Sequence, residues 1–131
     1  MLGQFQQSNL RVEIPASEAT LRDSLVQPAK LQQWLLPVRL EKGLPEQLHP
    51  GLTYTSWVGP VAIQHDVDRV DPTCLRLRLS KGIDGYHEWC WGEGWVQSRL
   101  EGVSLLPLAL GQTLSLLRLR QFLAQTQDSE D

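Results

Sequence analysis

Two histidines on predicted strands are the residues best suited to chemistry in this sequence. His65 lies between Ile63 and Val67 on the apolar face of one strand, and His87 shares a face with the tryptophans of another. An imidazole in an apolar cavity can orient a polar group of a ligand or act as a general base. The commoner alternative is a core histidine whose ring is satisfied by a backbone carbonyl. Neighbouring strand residues face opposite ways, so His87 and Glu88 do not form a catalytic dyad.

Aromatic residues give a second signal, because five tryptophans are many for 131 residues. They are Trp34, Trp57, Trp89, Trp91 and Trp95. Each ring has a large apolar surface and one polar group, which suits the wall of a ligand pocket, although such rings also fill cores. Trp57 and Trp95 lie opposite the aliphatic residues of their strands. If both were exposed together, they would favour a protein-interaction patch.

Metal and phosphate chemistry have little support. The three histidines are scattered along the chain, and neither Cys74 nor Cys90 has a second ligand near it in sequence. Strand pairing could still bring His65 and His87 together. The 92–94 stretch (GEG) lacks the following helix that a phosphate-binding loop requires. We therefore predict no catalytic set, no metal and no cofactor.

Charge argues against nucleic acid as a partner. The formal net charge is −3, whereas binding to phosphates requires a basic face. Arg76 and Arg78 lie on the outer face of their strand, and we expect Asp66 and Asp68 of the preceding strand to oppose them.

Length and composition predict one domain over residues 1–125, followed by a disordered acidic tail at 126–131. No secretory signal is evident, and no apolar run reaches the ~18 residues of a membrane span. The default expectation is a cytoplasmic protein in which Cys74 and Cys90 are free thiols.

Apolar periodicity predicts the elements that would position these residues. Residues 5–14 alternate as a half-buried strand, Ser17 can cap a short helix over Glu18–Val26, and Pro28 begins a second helix that Pro37 ends. Residues 38–41, 52–58, 61–70 and 73–80 follow as strands. Residues 86–101 form either one strand bent at the 92–94 glycines or two strands joined there, and two strands are favoured.

The last predicted element is a helix of about 20 residues, roughly 30 Å long. Four leucines at helical spacing predict its buried stripe: Leu106, Leu110, Leu114 and Leu117. Leu116, Leu119 and Leu123 flank that stripe. Residues 105–110 are apolar nearly all round, which predicts burial on more than one face.

This order of elements resembles the START-like superfamily, also called SRPBCC, which includes polyketide cyclase-like and pollen-allergen-like proteins. The resemblance covers about residues 5–123 and is carried by residues 15–18 (PASE), 28–34 (PAKLQQW) and 100–103 (LEGV). Residues 85–122 also look similar to uncharacterised cyanobacterial members. The resemblance implies an α+β helix-grip fold, in which a curved antiparallel sheet of six or seven strands wraps the long helix around an apolar cavity. Members bind lipids, hormones, polyketides or other hydrophobic molecules, and some are enzymes.

Together these features predict non-enzymatic binding or carriage of a small hydrophobic molecule between the sheet and the last helix. The predicted ligand-binding residues are His65, His87, Trp89, Trp91, Tyr54, Leu77, Leu106, Leu110 and Leu114. One alternative is an enzyme of the cyclase or dehydratase kind that uses a cavity histidine. Another is an interaction module that uses exposed Trp57 and Trp95.

Overall fold

A seven-stranded antiparallel sheet and three helices make up the described part of the chain. The computed structural model describes residues 3–35 and 38–130, the last five of these by backbone alone. The strands are β1 (Gln4–Glu13), β2 (Arg39–Leu40), β3 (Thr53–Val58), β4 (Val61–Val70), β5 (Cys74–Lys81), β6 (Ile83–Gly92) and β7 (Trp95–Ser104). The helices are α1 (Glu18–Val26), α2 (Pro28–Leu35) and α3 (Leu108–Glu130). The predicted α+β class and strand number are confirmed.

The described strands lie in the sheet order β1-β7-β6-β5-β4-β3-β2. Strands β2 to β6 each pair with the next strand in sequence, whereas β1 pairs with the remote β7. For residues 86–101 the sequence allowed either one bent strand or two strands. They belong to a hairpin, because β6 ends at Gly92 and β7 begins at Trp95. Gly94 in this turn has a φ of 78°, a conformation that favours glycine. The favoured prediction of two strands is thus confirmed.

The sheet curves where two glycines face each other. Gly85 on β6 pairs with Gly102 on β7, and a Cβ at Gly102 would lie 2.6 Å from the carbonyl oxygen of Asp84. Glycine in a strand interior commonly marks such a close approach or a tight bend. The concave face produced in this way carries the inward side chains of the strands and forms one wall of the core.

Two short helices close one end of the concave face. Ser17 caps α1, because its Oγ accepts a hydrogen bond from the Thr20 amide at 3.1 Å, as predicted. The indole of Trp34 on α2 donates to the Ser24 carbonyl of α1 at 2.9 Å and packs edge-on against Trp89. This buried aromatic contact, together with contacts between α1 and β6, holds the α1–α2 pair on the sheet. Pro37, predicted to end α2, lies outside the described residues.

The long helix presents a different face to the sheet than the leucine stripe predicts. Its buried side chains are Leu108, Gln112, Leu116, Leu119 and Leu123. Leu105 is 80% exposed and Leu110 58% exposed, so the prediction of burial on several faces of residues 105–110 is also wrong. Leucines surround the helix almost completely, and this obscures which of two apolar faces packs on the sheet. The backbone helix runs to Glu130, into the stretch predicted to be a disordered tail.

The two cysteines form a disulfide, which corrects the prediction of free thiols. Cys74 and Cys90 are direct cross-strand partners on β5 and β6, with their Cα atoms 4.2 Å apart. The sequence separation of 16 residues is the length of one hairpin, and only the register of that hairpin brings the two together. Free thiols were part of the case for a reducing compartment, and this part no longer holds. None of the described helices is long and apolar enough to cross a membrane.

Leucine-to-alanine substitutions on α3 test the corrected face. Leu119 has no exposed surface, so Leu119→Ala should lower the free energy of unfolding by about 2–5 kcal/mol through lost burial and a new cavity. Leu117 is 39% exposed, and Leu117→Ala should change that free energy by less than about 1 kcal/mol. Urea unfolding followed by circular dichroism measures both. Equal losses would contradict the face assigned here.

Candidate functional site

A cavity of about 490 Å³ lies between the concave sheet face, α2 and the first half of α3. Aliphatic side chains from all three make up most of its lining, among them Leu31, Leu77 and Leu108. The cavity exists because α3 packs mainly over β1 and β7 and leaves the concave face of β4, β5 and β6 uncovered.

The mouth of the cavity is marked by side chains that line it and are nevertheless exposed. These are Val58 at the end of β3, and Leu110, Leu114 and Arg118 along α3. Arg118 is the one charged side chain among the described lining residues, apart from the histidines considered below. An apolar space with a single cation at its edge can take up the apolar part of a molecule and leave a polar part outside.

His65 reaches the cavity from β4. Its Nε2 is 2.8 Å from the Ser56 Oγ, and its ring stacks on Tyr54 with centroids 4.6 Å apart. Its Nδ1 is buried and has no hydrogen-bond partner. Burial lowers the pKa of His65 to about 4, although the negative charge of Asp66 opposes that shift. The ring is therefore neutral near pH 7.

His87 occupies the equivalent position on β6. Its Nε2 is 2.9 Å from the Ser98 Oγ, and its ring lies against Trp89 at 4.7 Å between centroids. The pKa of His87 is lowered to about 3, chiefly by burial and also by the repulsion that a proton on His65 would exert. His65 pairs with Leu79 and His87 with Leu77, so the two imidazoles flank β5 two residues out of register.

Gln112 on α3 supports this histidine through Ser98. Its Nε2 donates to the Ser98 carbonyl at 2.8 Å and to the Ser98 Oγ at 2.9 Å, so the Ser98 proton is available to His87. The three acceptors around Nε2, with the Ser8 carbonyl the third, fix the amide orientation. The Gln112 Oε1 is consequently left buried without a partner.

Neutral polar groups of this kind bind ligands better than they catalyse. A general base works best with a pKa near the operating pH, and both histidines lie well below it. No carboxylate among the described side chains lies within hydrogen-bonding distance of either imidazole to raise its basicity. Among residues 3–35 and 38–130, no group of three or more His, Cys, Asp or Glu side chains could hold a metal ion.

The structure places eight of the nine predicted ligand-binding residues around the cavity. They are His65, His87, Trp89, Tyr54, Leu77, Leu106, Leu110 and Leu114. Trp91 instead packs in the core beyond the cavity, where its indole donates to the Pro72 carbonyl at 3.1 Å. A role for the eight in binding a ligand stays a prediction.

Sequence reasoning missed several polar residues of the site, among them Ser56, Ser98, Gln112 and Arg118. Ser56 and Ser98 share the inward parity of their strands, which was the available signal. The predicted leucine stripe placed Gln112 on the solvent side of the helix, whereas Gln112 is buried. The wrong helix face is the reason that this residue was missed.

Trp57 and Trp95 do not form a shared, exposed protein-interaction patch. Three strands separate β3 from β7, and both rings are half-buried. The guanidinium of Arg11 covers Trp95 at 4.5 Å. Trp57 lines a surface groove of about 1070 Å³ between α2 and residues 39–46, whose walls carry both charge signs and none of the histidines.

Comparison with solved structures identifies the fold. The chain is similar to Ms6760 from Mycobacterium smegmatis, with a TM-score of 0.70, 15% identity and 92% of each chain covered. It is similar to the major latex-like protein 151 of Panax ginseng, with a TM-score of 0.61, 10% identity, and coverage of 92% of this chain and 96% of that one. It has the helix-grip fold. DynU16, a protein of the dynemicin biosynthetic locus, matches with a TM-score of 0.68 and 18% identity. That match covers 90% of this chain and 47% of DynU16. No family model and no curated protein matches the sequence.

The depressed histidine pKa values predict a pH-dependent stability. Above about pH 6.5 both rings are neutral in the folded and unfolded states. Below about pH 6.5 both histidines become protonated in the unfolded chain. In the folded chain His65 becomes protonated only near pH 4 and His87 only near pH 3. The free energy of unfolding should therefore fall as pH drops, by up to about 1.4 kcal/mol per pH unit for each histidine.

Urea unfolding between pH 7.5 and 4.5 measures this slope. The double variant His65→Gln/His87→Gln should flatten it, whereas His49→Gln, at an exposed position, should leave it unchanged. A slope that survives in the double variant would show that other groups cause it.

Proposed function

We propose that the chain is a START-like protein that binds or carries a small hydrophobic molecule in the cavity between the sheet and α3. The single observation that carries the proposal is the cavity itself, about 490 Å³ with mainly aliphatic walls. That volume is within the range of ligand pockets in proteins, about 300–1,000 Å³. The helix-grip fold shared with the ginseng latex-like protein and Ms6760 is consistent with it.

Packing energetics support a ligand over an empty space. Protein interiors are close-packed, and apolar voids forfeit the contacts that their lining atoms would otherwise make. An apolar ligand would restore those contacts and gain about 25 cal/mol for each Å² of its apolar surface removed from water. The opening beside Val58 and Leu110 would let such a molecule enter without unfolding of the sheet.

Polar groups in the wall add a requirement on the ligand. Burial raises the pKa of the Tyr54 hydroxyl, so this group is neutral, as are both histidines near pH 7. His65 Nδ1 and Gln112 Oε1 are buried and unpaired, which costs about 1–3 kcal/mol for each. A hydrogen-bonding group on the inner end of the ligand would relieve one of these costs after a small side-chain rotation.

Gly111 offers a test that does not disturb the core. It lines the cavity, and a Cβ added there would meet nothing within 4 Å. Gly111→Trp should fill the space beside the mouth and weaken binding of the neutral apolar probe N-phenyl-1-naphthylamine by about tenfold or more. Gly111→Ala is the matched control, because it should keep the affinity and stabilise the helix by about 0.5–1 kcal/mol.

Fluorescence titration of the probe measures both affinities. Absence of saturable binding to the unsubstituted protein would overturn the proposed function. Equal affinity in the Gly111→Trp and Gly111→Ala variants would place the probe elsewhere on the protein.

A cyclase- or dehydratase-type enzyme is the second candidate, favoured by the two imidazoles that line the cavity with serine partners. Their low pKa values make each a weak base, and for this reason we rank it below binding. Native mass spectrometry of the protein purified from its host distinguishes the two. A carrier should retain the same bound molecule in the His65→Gln/His87→Gln variant, whereas an enzyme should accumulate an altered one, its unconverted substrate.

A further inference from the structure

We propose that the ligand is an amphiphilic anion, whose apolar body fills the cavity and whose carboxylate, sulfonate or phosphate group pairs with Arg118 at the mouth. This inference rests on the proposed function and specifies the chemical class of its ligand.

The position of Arg118 is the first observation. It follows Leu114 by one helical turn, and both side chains line the mouth. No carboxylate among the described side chains pairs with its guanidinium, although the salt bridges of the chain occupy Arg11, Arg69 and Arg76. An arginine fork matches the geometry of an anionic head group and can bind it through two parallel hydrogen bonds.

Charge on the helices around the mouth is the second observation. Residues 105–127 contain no acidic residue, and α2 contains none either. The chain as a whole has a net charge of −3, so its acidic residues are concentrated on other segments. Among the described helix residues that line the cavity, Arg118 is the one charged side chain, so the helical wall carries the opposite sign to the whole protein and would attract an anion.

The interior of the cavity sets the orientation of such a ligand. Its polar groups are the neutral side chains of Tyr54, Ser56, His65, His87 and Gln112, and none provides a counter-charge. Burying an unpaired anion among them would cost far more than leaving it in water. The head group must therefore stay at the mouth beside Arg118 while the apolar body enters.

Two probes with one scaffold test the inference. 1-Anilinonaphthalene-8-sulfonate and N-phenyl-1-naphthylamine share the phenylnaphthylamine body, and only the first carries a negative charge. Arg118→Gln should weaken binding of the sulfonate probe by about three- to tenfold, the range of a partly exposed charged pair. The same variant should change the affinity for the neutral probe by less than about twofold.

Arg120→Gln is the matched control, since it removes the same charge from an exposed position of the same helix that does not line the cavity. It should leave both affinities within about twofold. Raising the salt concentration from about 20 mM to about 500 mM should weaken sulfonate binding in the unsubstituted protein and have less effect in Arg118→Gln.

The outcomes separate the two proposals. If neither probe binds, the proposed function fails and the ligand class fails with it. If the neutral probe binds and the sulfonate probe does not, the cavity stands and the anionic ligand class is overturned. If Arg118→Gln and Arg120→Gln weaken the sulfonate probe equally, the cavity stands and the pairing of the head group with Arg118 is overturned.

Discussion

The lateral position of α3 on the sheet determines the rest of this structure. It packs over β1 and β7 at one edge of the sheet, and α2 packs against it as well. The Gln112 amide fixes this position by donating to the Ser8 carbonyl of β1 and to Ser98 of β7. A helix placed centrally would cover β5 and fill the concave face. Because α3 lies to one side, part of the inward face of β4 to β6 borders a space that no element of the described chain fills.

The same contact links the stability of the fold to the chemistry of the cavity wall. Gln112 holds Ser98, and Ser98 in turn holds the His87 ring, so the position of the helix fixes the orientation of the imidazole. His65 is oriented independently, by Ser56 and by stacking on Tyr54. Both rings are thus held by neutral hydroxyls and kept neutral by burial, and charge is confined to Arg118 at the mouth. This separation of a neutral interior from a charged edge suits binding more than proton transfer.

Strand alternation predicted most of the fold because one face of each strand meets water and the other meets the core. The α1 cap at Ser17 and the glycine turn after Gly92 are local signals, and local signals are legible in one sequence. The disulfide was not predictable, because it depends on the register of β5 against β6, in which Cys74 and Cys90 fall opposite each other. Two cysteines in unrelated strands would have the same appearance in the sequence.

The face of α3 was mispredicted for a reason connected with the cavity. A helix that only covers a sheet has one apolar stripe, and the stripe identifies its buried side. Leucines on and just before α3 form two such stripes, and the more regular one, Leu106, Leu110 and Leu114, lines the cavity and borders its mouth. The stripe that packs on the sheet is interrupted by Gln112, whose amide the sheet requires. Leu110 and Leu114 of the first stripe are apolar although partly exposed, because they border the cavity and do not pack on the sheet. The periodicity therefore identified a real apolar surface, and its assignment to the sheet was the error.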